Sequence, residues 1–328
     1  MKHTPTLKAV AAASLAVASS AAFATNGMNM EAYGAKAGGM GGASMAYDNG
    51  NSAVMNNPAT LVLKKEGSDF GIGFTHLGPD VNLVGMEKST GDSYKMPSMS
   101  WIKRNGNVAF GAAMLAQGGM GTEYPTMLAR SEVAFGRLMA PLAYKVNDQL
   151  SVAGQLDFVW GSMDMQANIP AYSGGPTFAY IGGNPYSPIG RIDFSNKNDF
   201  TGAAMGSGFA GKIGVHYQAT KDFSFGATYH SKTDLSDLKG RGTFDTNNAD
   251  GTNSMLSGDY FVRDFQWPET MGLGVAWNAT NKLMLAADYK RMKWSDTMKT
   301  VMISFVSDSG SSTNATIPFP QNWEDQDV

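Results

Sequence analysis

The residues that could carry out chemistry in this sequence are few, and their spacing does not match common catalytic or metal-binding motifs. The chain has 328 residues with four histidines and no cysteine, which excludes disulfide bonds and thiolate metal sites. His76, His216 and His230 belong to neither a Gly-x-Ser-x-Gly elbow nor a His-Glu-x-x-His pair. The glycine-rich stretch 38–42 lacks the spacing of a dinucleotide fingerprint. We therefore predict no catalytic residue, no cofactor and no metal ion, while an enzyme built from scattered residues stays an alternative.

Binding of an apolar ligand is the chemistry that the composition favours. The chain contains 22 methionines, and Met28 and Met30 lie in a Gly- and Met-rich segment near its start. Thioether side chains adapt well to flexible apolar ligands, although filling irregular gaps is the simpler role for any single methionine. The tripeptide Asn57-Pro58-Ala59 predicts a turn, which could hold this segment in place or allow it to shift.

The elements that must position these residues are β-strands, because large apolar side chains alternate with small or polar ones. The alternation is clearest in 150–160, 209–217, 223–230 and 283–290, and in a strand it places the two sets on opposite faces. Residues 25–66 lack the pattern. We predict strands near 68–77, 95–103, 108–117, 131–146, 149–161, 202–218, 222–231, 261–278 and 282–294, with a further strand from about Thr300.

Three features favour a membrane barrel over a soluble β protein. Short polar turns alternate with long irregular stretches, as in outer-membrane barrels. Aromatic residues lie at the ends of the apolar faces, as in interfacial girdles. The run 150–160 has the roughly 9–11 residues that a tilted strand needs to cross the hydrocarbon. We therefore predict an all-β, antiparallel transmembrane barrel. Its long irregular stretches lie near 118–130, 162–200, 231–260 and 295–320.

The start of the chain indicates export. Lys2 and Lys8 precede an apolar run, and Ala22-Phe23-Ala24 fits a small-x-small cleavage site, so we predict a signal peptide at 1–24. Its removal lowers the basic residues from 25 to 23 against 28 acidic ones, a net charge of −5. This balance argues against nucleic acid as a partner, which would require a concentrated basic face. The rest of the chain contains no run of about 18 apolar residues that would form a transmembrane helix.

The beginning of the mature chain resembles a segment of a known family. It closely resembles the N-terminal hatch, or plug, of the FadL/TodX outer-membrane transporters for long-chain fatty acids and aromatic hydrocarbons. Weaker matches to strands of the family follow in 265–276, 283–294 and 318–325. The pieces that match the hatch are Gly34-Ala35-Lys36, Gly39-Met40-Gly41-Gly42-Ala43 and Asn57-Pro58-Ala59 with Leu61.

The resemblance implies a monomeric barrel of 14 strands in 67–328, with its lumen closed by a hatch in 25–66. It implies that a hydrophobic molecule leaves sideways through a gap at a kinked third strand. Glycine after the strand 108–117 marks a bend there. Because only nine or ten strands fit before Val328, we expect further C-terminal strands to be missing from this sequence, with a smaller barrel as the alternative. The predicted binding and gating residues are Asn57, Pro58, Ala59, Met28, Met30, Gly118 and Gly119.

The function that the resemblance implies is passive uptake of long-chain fatty acids or other hydrophobic compounds across the Gram-negative outer membrane. Its partners would be such a small molecule, outer-membrane lipid and lipopolysaccharide. The alternatives are a barrel enzyme that acts on lipids and a general diffusion porin, whose lumen would be polar and unplugged. Charged side chains on the inward faces are predicted to be solvated in the lumen: Lys212, His216, Asp288 and Lys290.

Overall fold

Strands dominate the structure, a computed structural model that describes residues 27–83, 87–170, 188–198, 201–247, 253–310 and 314–328. The predicted signal peptide lies outside these ranges. No helix within them is long and apolar enough to span a membrane. The described helical pieces are α1 (Ala35–Gly39) and 3₁₀ turns at Gly50–Val54, Pro58–Leu63, Pro125–Met127 and Trp294–Asp296. The described strands are β1 (Gly67–Leu77), β2 (Tyr94–Asn105), β3 (Val108–Tyr124), β4 (Ala129–Lys145), β5 (Leu150–Pro170), β6 (Pro188–Phe194), β7 (Ala204–Gln218), β8 (Phe223–His230), β9 (Asp234–Leu235), β10 (Leu238–Asn247), β11 (Asn253–Arg263), β12 (Thr270–Thr280), β13 (Leu283–Met292), β14 (Thr300–Ser307), β15 (Ala315–Pro320) and β16 (Gln326–Asp327).

Ten of these strands form one continuous wall in which every neighbouring pair is antiparallel. Their order is β1-β2-β3-β4-β5-β7-β8-β12-β13-β16. Connections at one end of the wall are short, such as Gly106-Asn107 between β2 and β3, and most of those at the other end are long. The predicted antiparallel meander, with its short turns on one side, is confirmed.

The outward face of the wall is apolar and exposed, whereas the inward face is buried. On β1, Phe70, Ile72 and Phe74 are 63%, 79% and 65% exposed. On β5, Leu156 is 71% exposed and the adjacent Asp157 is fully buried. A continuous apolar face of this kind is typical of strands in contact with lipid. The alternation in the sequence therefore separates a lipid-facing side from a lumen-facing side.

The wall strands extend farther than the alternation predicts at the end with the long connections. β3 continues to Tyr124 and pairs with β4 from Ala129 onward. The predicted irregular stretch at 118–130 is therefore wrong, because the β3–β4 ladder keeps its glycine-rich residues extended. Only the 3₁₀ turn Pro125–Met127 and Leu128 separate the two strands.

Within the described residues the long connections also contain strands, so the prediction of irregular structure at 162–200, 231–260 and 295–320 is wrong there. The further strand predicted from about Thr300 is confirmed as β14. β5 reaches into the first of these stretches, and β6, β10, β11, β14 and β15 form an extension of the sheet. Its aromatic side chains pack together, with the ring centroids of Phe194 and Tyr260 4.7 Å apart. In β14 the consecutive residues Ile303 to Phe305 are all buried. Where both faces of a strand are covered, no polar face remains to produce alternation.

The single strand predicted at 261–278 is two strands. β11 ends at Arg263 and β12 begins at Thr270. Between them Asp264 has a left-handed φ of +59°, and Pro268 has no backbone N–H to offer a neighbouring strand. The chain therefore leaves the sheet here, and it carries Phe265 and Trp267 into the interior, where they are 3% and 2% exposed.

The hatch, residues 27–66, packs against the inward face of the wall. β1 begins at Gly67, immediately after the hatch. The packing is apolar, because hatch side chains and inward wall side chains share one buried cluster. Its members include Tyr33, Ala53, Val54, Met55, Ala59, Leu61 and Val62 of the hatch, and Ile102, Ala109, Met139 and Ala143 of the wall.

Candidate functional site

The tripeptide Asn57-Pro58-Ala59 joins the hatch to the wall. Pro58 is the first residue of a 3₁₀ turn, where its missing N–H costs no hydrogen bond. The fully buried Asn57 amide donates to the backbone oxygens of Met45 (2.7 Å) and Val215 (2.9 Å). Its Oδ1 accepts from the Ala59 N–H at 3.1 Å. A turn forms here, as predicted, and one side chain ties two hatch segments to β7.

Polar side chains of the wall hold other backbone groups of the hatch. The Asp288 carboxylate accepts from the Ser44 N–H at 2.6 Å, and Lys290 Nζ donates to the Gly42 oxygen at 2.8 Å. Lys212 donates to the Met55 oxygen, while His216 and Ser224 contact the Ala46 oxygen.

Lys212 and His216 are only 4% and 1% exposed, so the prediction that they are solvated lumen charges is wrong. The backbone of the hatch, and not water, surrounds the side chains of Lys212 and His216 on the inward face. Its carbonyl groups satisfy the polar atoms of the wall, as buried polar groups require.

A bulge interrupts β3 at the predicted bend. The β3–β4 register shifts between Ala116 and Gly118, which leaves Gln117 as an extra residue. The Gly119 N–H donates to the Met28 oxygen of the hatch at 3.0 Å. A Cβ added to Gly118 would lie 2.1 Å from that same oxygen. Glycine at 118 is therefore required for the hatch to approach the bulge this closely.

Met28 is buried beside this bulge in a cluster that contains aromatic residues. It is 2% exposed and belongs to the same buried cluster as Phe135, Trp267 and Trp294. The ring centroids are 4.9 Å apart for Phe135 and Trp267, and 5.5 Å apart for Trp267 and Trp294. Sequence reasoning missed this aromatic cluster, because Trp267 was assigned to the interior of a continuous strand. We call Phe135, Phe265, Trp267, Trp294 and Trp323 the aromatic cluster.

A buried polar network, also missed in the sequence, lies next to the bulge. Arg137 of β4 and Asp157 of β5 are fully buried, with Nη1 and Oδ2 2.9 Å apart. His230 Nε2 lies 2.8 Å from the same Asp157 oxygen. Arg137 Nε donates to Oε1 of Gln117 in the bulge. Arg137 and Asp157 lie on the inward faces of adjacent strands and are close in register. This pairing of opposite charges is the signal from which the network could have been predicted.

Two hatch tyrosines remain protonated donors at neutral pH. Burial raises the pKa of Tyr47 to about 12, and the charge of Asp288 adds to the shift. Burial also raises the pKa of Tyr33, although the positive charge of Arg137 opposes it. The Tyr33 hydroxyl donates to Asn29 Oδ1 at 2.5 Å and to the Gln117 backbone oxygen at 2.8 Å, and Tyr47 donates to the Ala43 oxygen at 2.6 Å.

Several cavities adjoin the hatch, and two of them are lined by its methionines. One of about 600 Å³ lies toward the short turns and is lined by Met40, Leu63 and Met284 among others. The other lies beside the bulge, where Met30 and Trp267 contribute to its lining. The structure thus places Met28 of the predicted site against Gly118 and Gly119, and Met30 in the cavity beside the same bulge. It places Asn57, Pro58 and Ala59 elsewhere, against β7.

Comparison with known proteins gives the architecture a family. The family model described as outer membrane protein transport protein (OMPP1/FadL/TodX) matches residues 10–327. An uncharacterised Chlorobium limicola protein, encoded 5′ of a phosphoenolpyruvate carboxykinase gene, is 65% identical over 63 residues. That match covers 19% of this chain and 31% of the other protein.

Solved structures give matches over most of the chain. The Ralstonia pickettii toluene transporter TbuX is 32% identical, with a TM-score of 0.78 and coverage of 90% of this chain and 80% of that one. The Pseudomonas putida toluene transporter TodX is 28% identical, with a TM-score of 0.77 and coverage of 90% and 78%. A Pseudomonas aeruginosa FadL homologue, 16% identical with a TM-score of 0.61 and coverage of 91% and 75%, shows the fold alone.

These matches confirm the predicted class of fold, an antiparallel transmembrane barrel, and the predicted location in the outer membrane of Gram-negative bacteria. They also confirm the family that the hatch motifs indicate, because the family model spans nearly the whole chain. The chain belongs to the OMPP1/FadL/TodX family of outer-membrane transport proteins.

Proposed function

We propose that this protein lets hydrophobic molecules cross the outer membrane by passive diffusion through a barrel whose lumen is closed by the hatch. The observation that carries the proposal is the meeting of three features at one point of the wall. The Met28 oxygen bonds to the bulge of β3, Trp267 lies against Gly118 of the same bulge, and Met28 shares one buried cluster with the aromatic residues. An apolar binding site thus lies directly beside an irregularity in the wall.

The substrate class that fits this site best is a small aromatic hydrocarbon. The rings of the aromatic cluster offer faces and edges to a planar apolar molecule. The relatives with 32% and 28% identity are toluene transporters, whereas the FadL homologue is 16% identical. Long-chain fatty acids are the second candidate, because each CH₂ that leaves water contributes about 0.8 kcal/mol in any apolar lumen.

The route that we propose is lateral. A molecule that reaches the aromatic cluster displaces Met28 and leaves between strands at Gly118 and Gly119 into the bilayer. The hatch closes the direct path to the short-turn side, and Asn57, with Pro58 and Ala59, keeps it there. Bulges locally disrupt a ladder and bend the strand, so this is the weakest part of the β3–β4 pairing.

Uptake of labelled toluene and labelled oleate by cells that express the full-length protein tests the proposal. Cells with the protein should take up toluene faster than cells without it, and Gly118→Val should return uptake to the background. The valine Cβ would lie 2.1 Å from the Met28 oxygen, which is a backbone atom and cannot rotate away. Gly154→Ala is the matched control, because its Cβ would meet no atom within 4 Å.

Two other outcomes would favour other functions. Free passage of small sugars through the wild type, without hydrocarbon uptake, would favour the general porin. Hydrolysis of phospholipid by the purified protein would favour the barrel enzyme, although the family and its solved members are transport channels. We also propose that the protein acts as a monomer, which native mass spectrometry in detergent would show.

Lipopolysaccharide is the lipid partner that we propose on the extracellular side. His76 and Lys95 are paired in register at the long-connection end of β1 and β2. They continue the lipid-facing column of Phe74 and Pro97 and are exposed, which suits the phosphates of a lipid headgroup. Lys95→Ala should reduce the lipopolysaccharide that co-purifies with the protein, as detected by native mass spectrometry. Lys103→Ala, at the other end of the same face of β2, should not.

A further inference from the structure

The bulged residue Gln117 is held from two sides. Its backbone oxygen accepts from the Tyr33 hydroxyl of the hatch at 2.8 Å, and Asn29 Oδ1 of the hatch accepts from the same hydroxyl at 2.5 Å. Its side-chain Oε1 accepts from Arg137 Nε of the neighbouring strand. Two residues farther on, the Gly119 N–H donates to the Met28 oxygen at 3.0 Å. The extra residue of the bulge is therefore bonded both to the hatch and to the wall.

Arg137 is itself fixed by the wall on its far side. Its Nη1 lies 2.9 Å from Asp157 Oδ2 and 3.1 Å from His230 Nε2. The guanidinium and the carboxylate are both fully buried. The planar guanidinium presents its donors in a rigid fork, so a single side chain can bond Gln117 and Asp157 at once. A buried charge held in this way has little freedom to move, because a broken bond would leave its partner unpaired.

We propose that Arg137 is a positioning residue that couples the hatch to the bulge of β3. Arg137, Gln117 and Tyr33 form a clamp that holds the bulge in its closed shape while the hatch is docked. When the start of the hatch leaves the aromatic cluster, Tyr33 withdraws its hydroxyl from Gln117 and the clamp loses one of its two arms. The inference rests on the proposed lateral route, for which it supplies the link between hatch position and wall geometry.

A purely structural role for the network makes a different prediction. If Arg137 only neutralises Asp157, removing the hydroxyl of Tyr33 should leave the bulge unchanged. If the clamp operates, a change in the hatch should loosen β3 beyond the bulge without disturbing the remainder of the wall. The discriminating quantity is therefore the mobility of β3, measured without any substrate.

The absence of cysteine makes this measurement direct. A nitroxide on Met120→Cys, which is 50% exposed just beyond the bulge, reports the mobility of β3 in the full-length protein in liposomes. Gln117→Met removes the acceptor but keeps the side-chain length, and Tyr33→Phe removes only the hydroxyl. Each should increase the mobile fraction about five-fold, the change equivalent to losing one hydrogen bond of about 1 kcal/mol.

Controls separate the clamp from general loosening. Tyr47→Phe removes a hatch hydroxyl that bonds only within the hatch, to Ala43, and should leave the label unchanged. Arg137→Lys keeps the charge beside Asp157 but not the fork, and should behave like Gln117→Met. Equal spectra for wild type, Tyr33→Phe and Gln117→Met in assembled barrels would overturn the proposal, as would an equal effect of Tyr47→Phe.

The failure of transport and the failure of the clamp remain distinguishable. Spin-label mobility needs no substrate, so the clamp stands if the label responds even when no hydrocarbon is taken up. Conversely, normal toluene uptake with unresponsive spectra retains the transporter and refutes the clamp.

Discussion

The hatch contacts the wall in two regions with contrasting chemistry. Around Asn57, the anchor region, buried polar side chains of the wall bond to the hatch backbone at several points, including the Val215 contact and those of Asp288 and Lys290. Around Met28, the release region, fewer polar bonds join the hatch to the wall: Met28 lies in a buried cluster with aromatic residues, and the bulge is bonded through Gly119 and through the Gln117 oxygen.

The difference indicates which contacts a hydrophobic ligand can replace. An apolar molecule can fill the place of the Met28 side chain without leaving a buried polar group unpaired. It cannot replace Asn57 or Asp288, because their partners would lose hydrogen bonds at a cost of about 1–3 kcal/mol for each group. We therefore expect the start of the hatch to move on ligand binding while the anchor region stays in place.

The largest effect is expected from Trp267→Ala in the release region. The ring is fully buried and contacts both Phe135 and Trp294, so its loss should cost about 3–5 kcal/mol in the free energy of unfolding. Urea denaturation in detergent measures this loss. Toluene affinity, measured by calorimetry, should fall with it. Unchanged affinity in a folded barrel would contradict the assignment of the aromatic cluster as the binding site.

Asn57→Ala removes hydrogen bonds of the anchor region and should have the next largest effect. It leaves the Met45 and Val215 oxygens without their donor, which should lower the opening free energy of the hatch by about 3 kcal/mol. Hydrogen exchange of hatch amides measures this quantity. Asn51→Ala is the control in the same segment, because its amide makes an exposed 3.4 Å contact with Asp69. Equal exchange in the two variants would remove the distinction between the regions.

Met28→Ala, in the release region, should destabilise the hatch but increase the affinity for toluene, the opposite of the effect of Trp267→Ala on binding. Loss of the buried thioether should destabilise the docked start of the hatch by about 2 kcal/mol. The same loss vacates the aromatic cluster, so toluene should bind more tightly than to the wild type. A weaker affinity in calorimetry would show that Met28 contributes to the site and does not compete for it.

The smallest effect is expected outside both regions, at the half-buried pair of Lys293 and Glu269, 2.7 Å apart. The hydrogen bond from Lys293 lowers the pKa of Glu269, so the pair stabilises the fold above the usual carboxyl pKa and is lost as pH falls through the lowered value. Lys293→Ala should lower the free energy of unfolding only slightly at neutral pH, and the loss should shrink as the pH falls through the lowered pKa of Glu269. Urea denaturation over a series of decreasing pH values checks this, and hatch exchange should not change.

Prediction from the sequence succeeds where the two faces of a strand meet different surroundings. Leu156 and Asp157 alternate because one is on the exposed apolar face and the other is buried on the inward face, and nine wall strands follow from this pattern. It misses β6 and β10 in the long connections, whereas the strand predicted from about Thr300 is present as β14. It also fails at Trp267, because the break between β11 and β12 depends on a positive φ at Asp264 that no periodicity reveals.

The sequence by itself determined the barrel wall, the separate hatch and the family. A period of two residues and short motifs involve only residues that are close together in the chain, so the sequence alone shows them. Only the tertiary structure decided that Met28 meets Gly118, that Gln117 bulges toward Arg137, and that Lys212 and His216 bond to the hatch instead of water. These contacts join residues about 20 to 170 positions apart. Their partners are chosen by how the wall curves around the hatch, which no local stretch of sequence specifies.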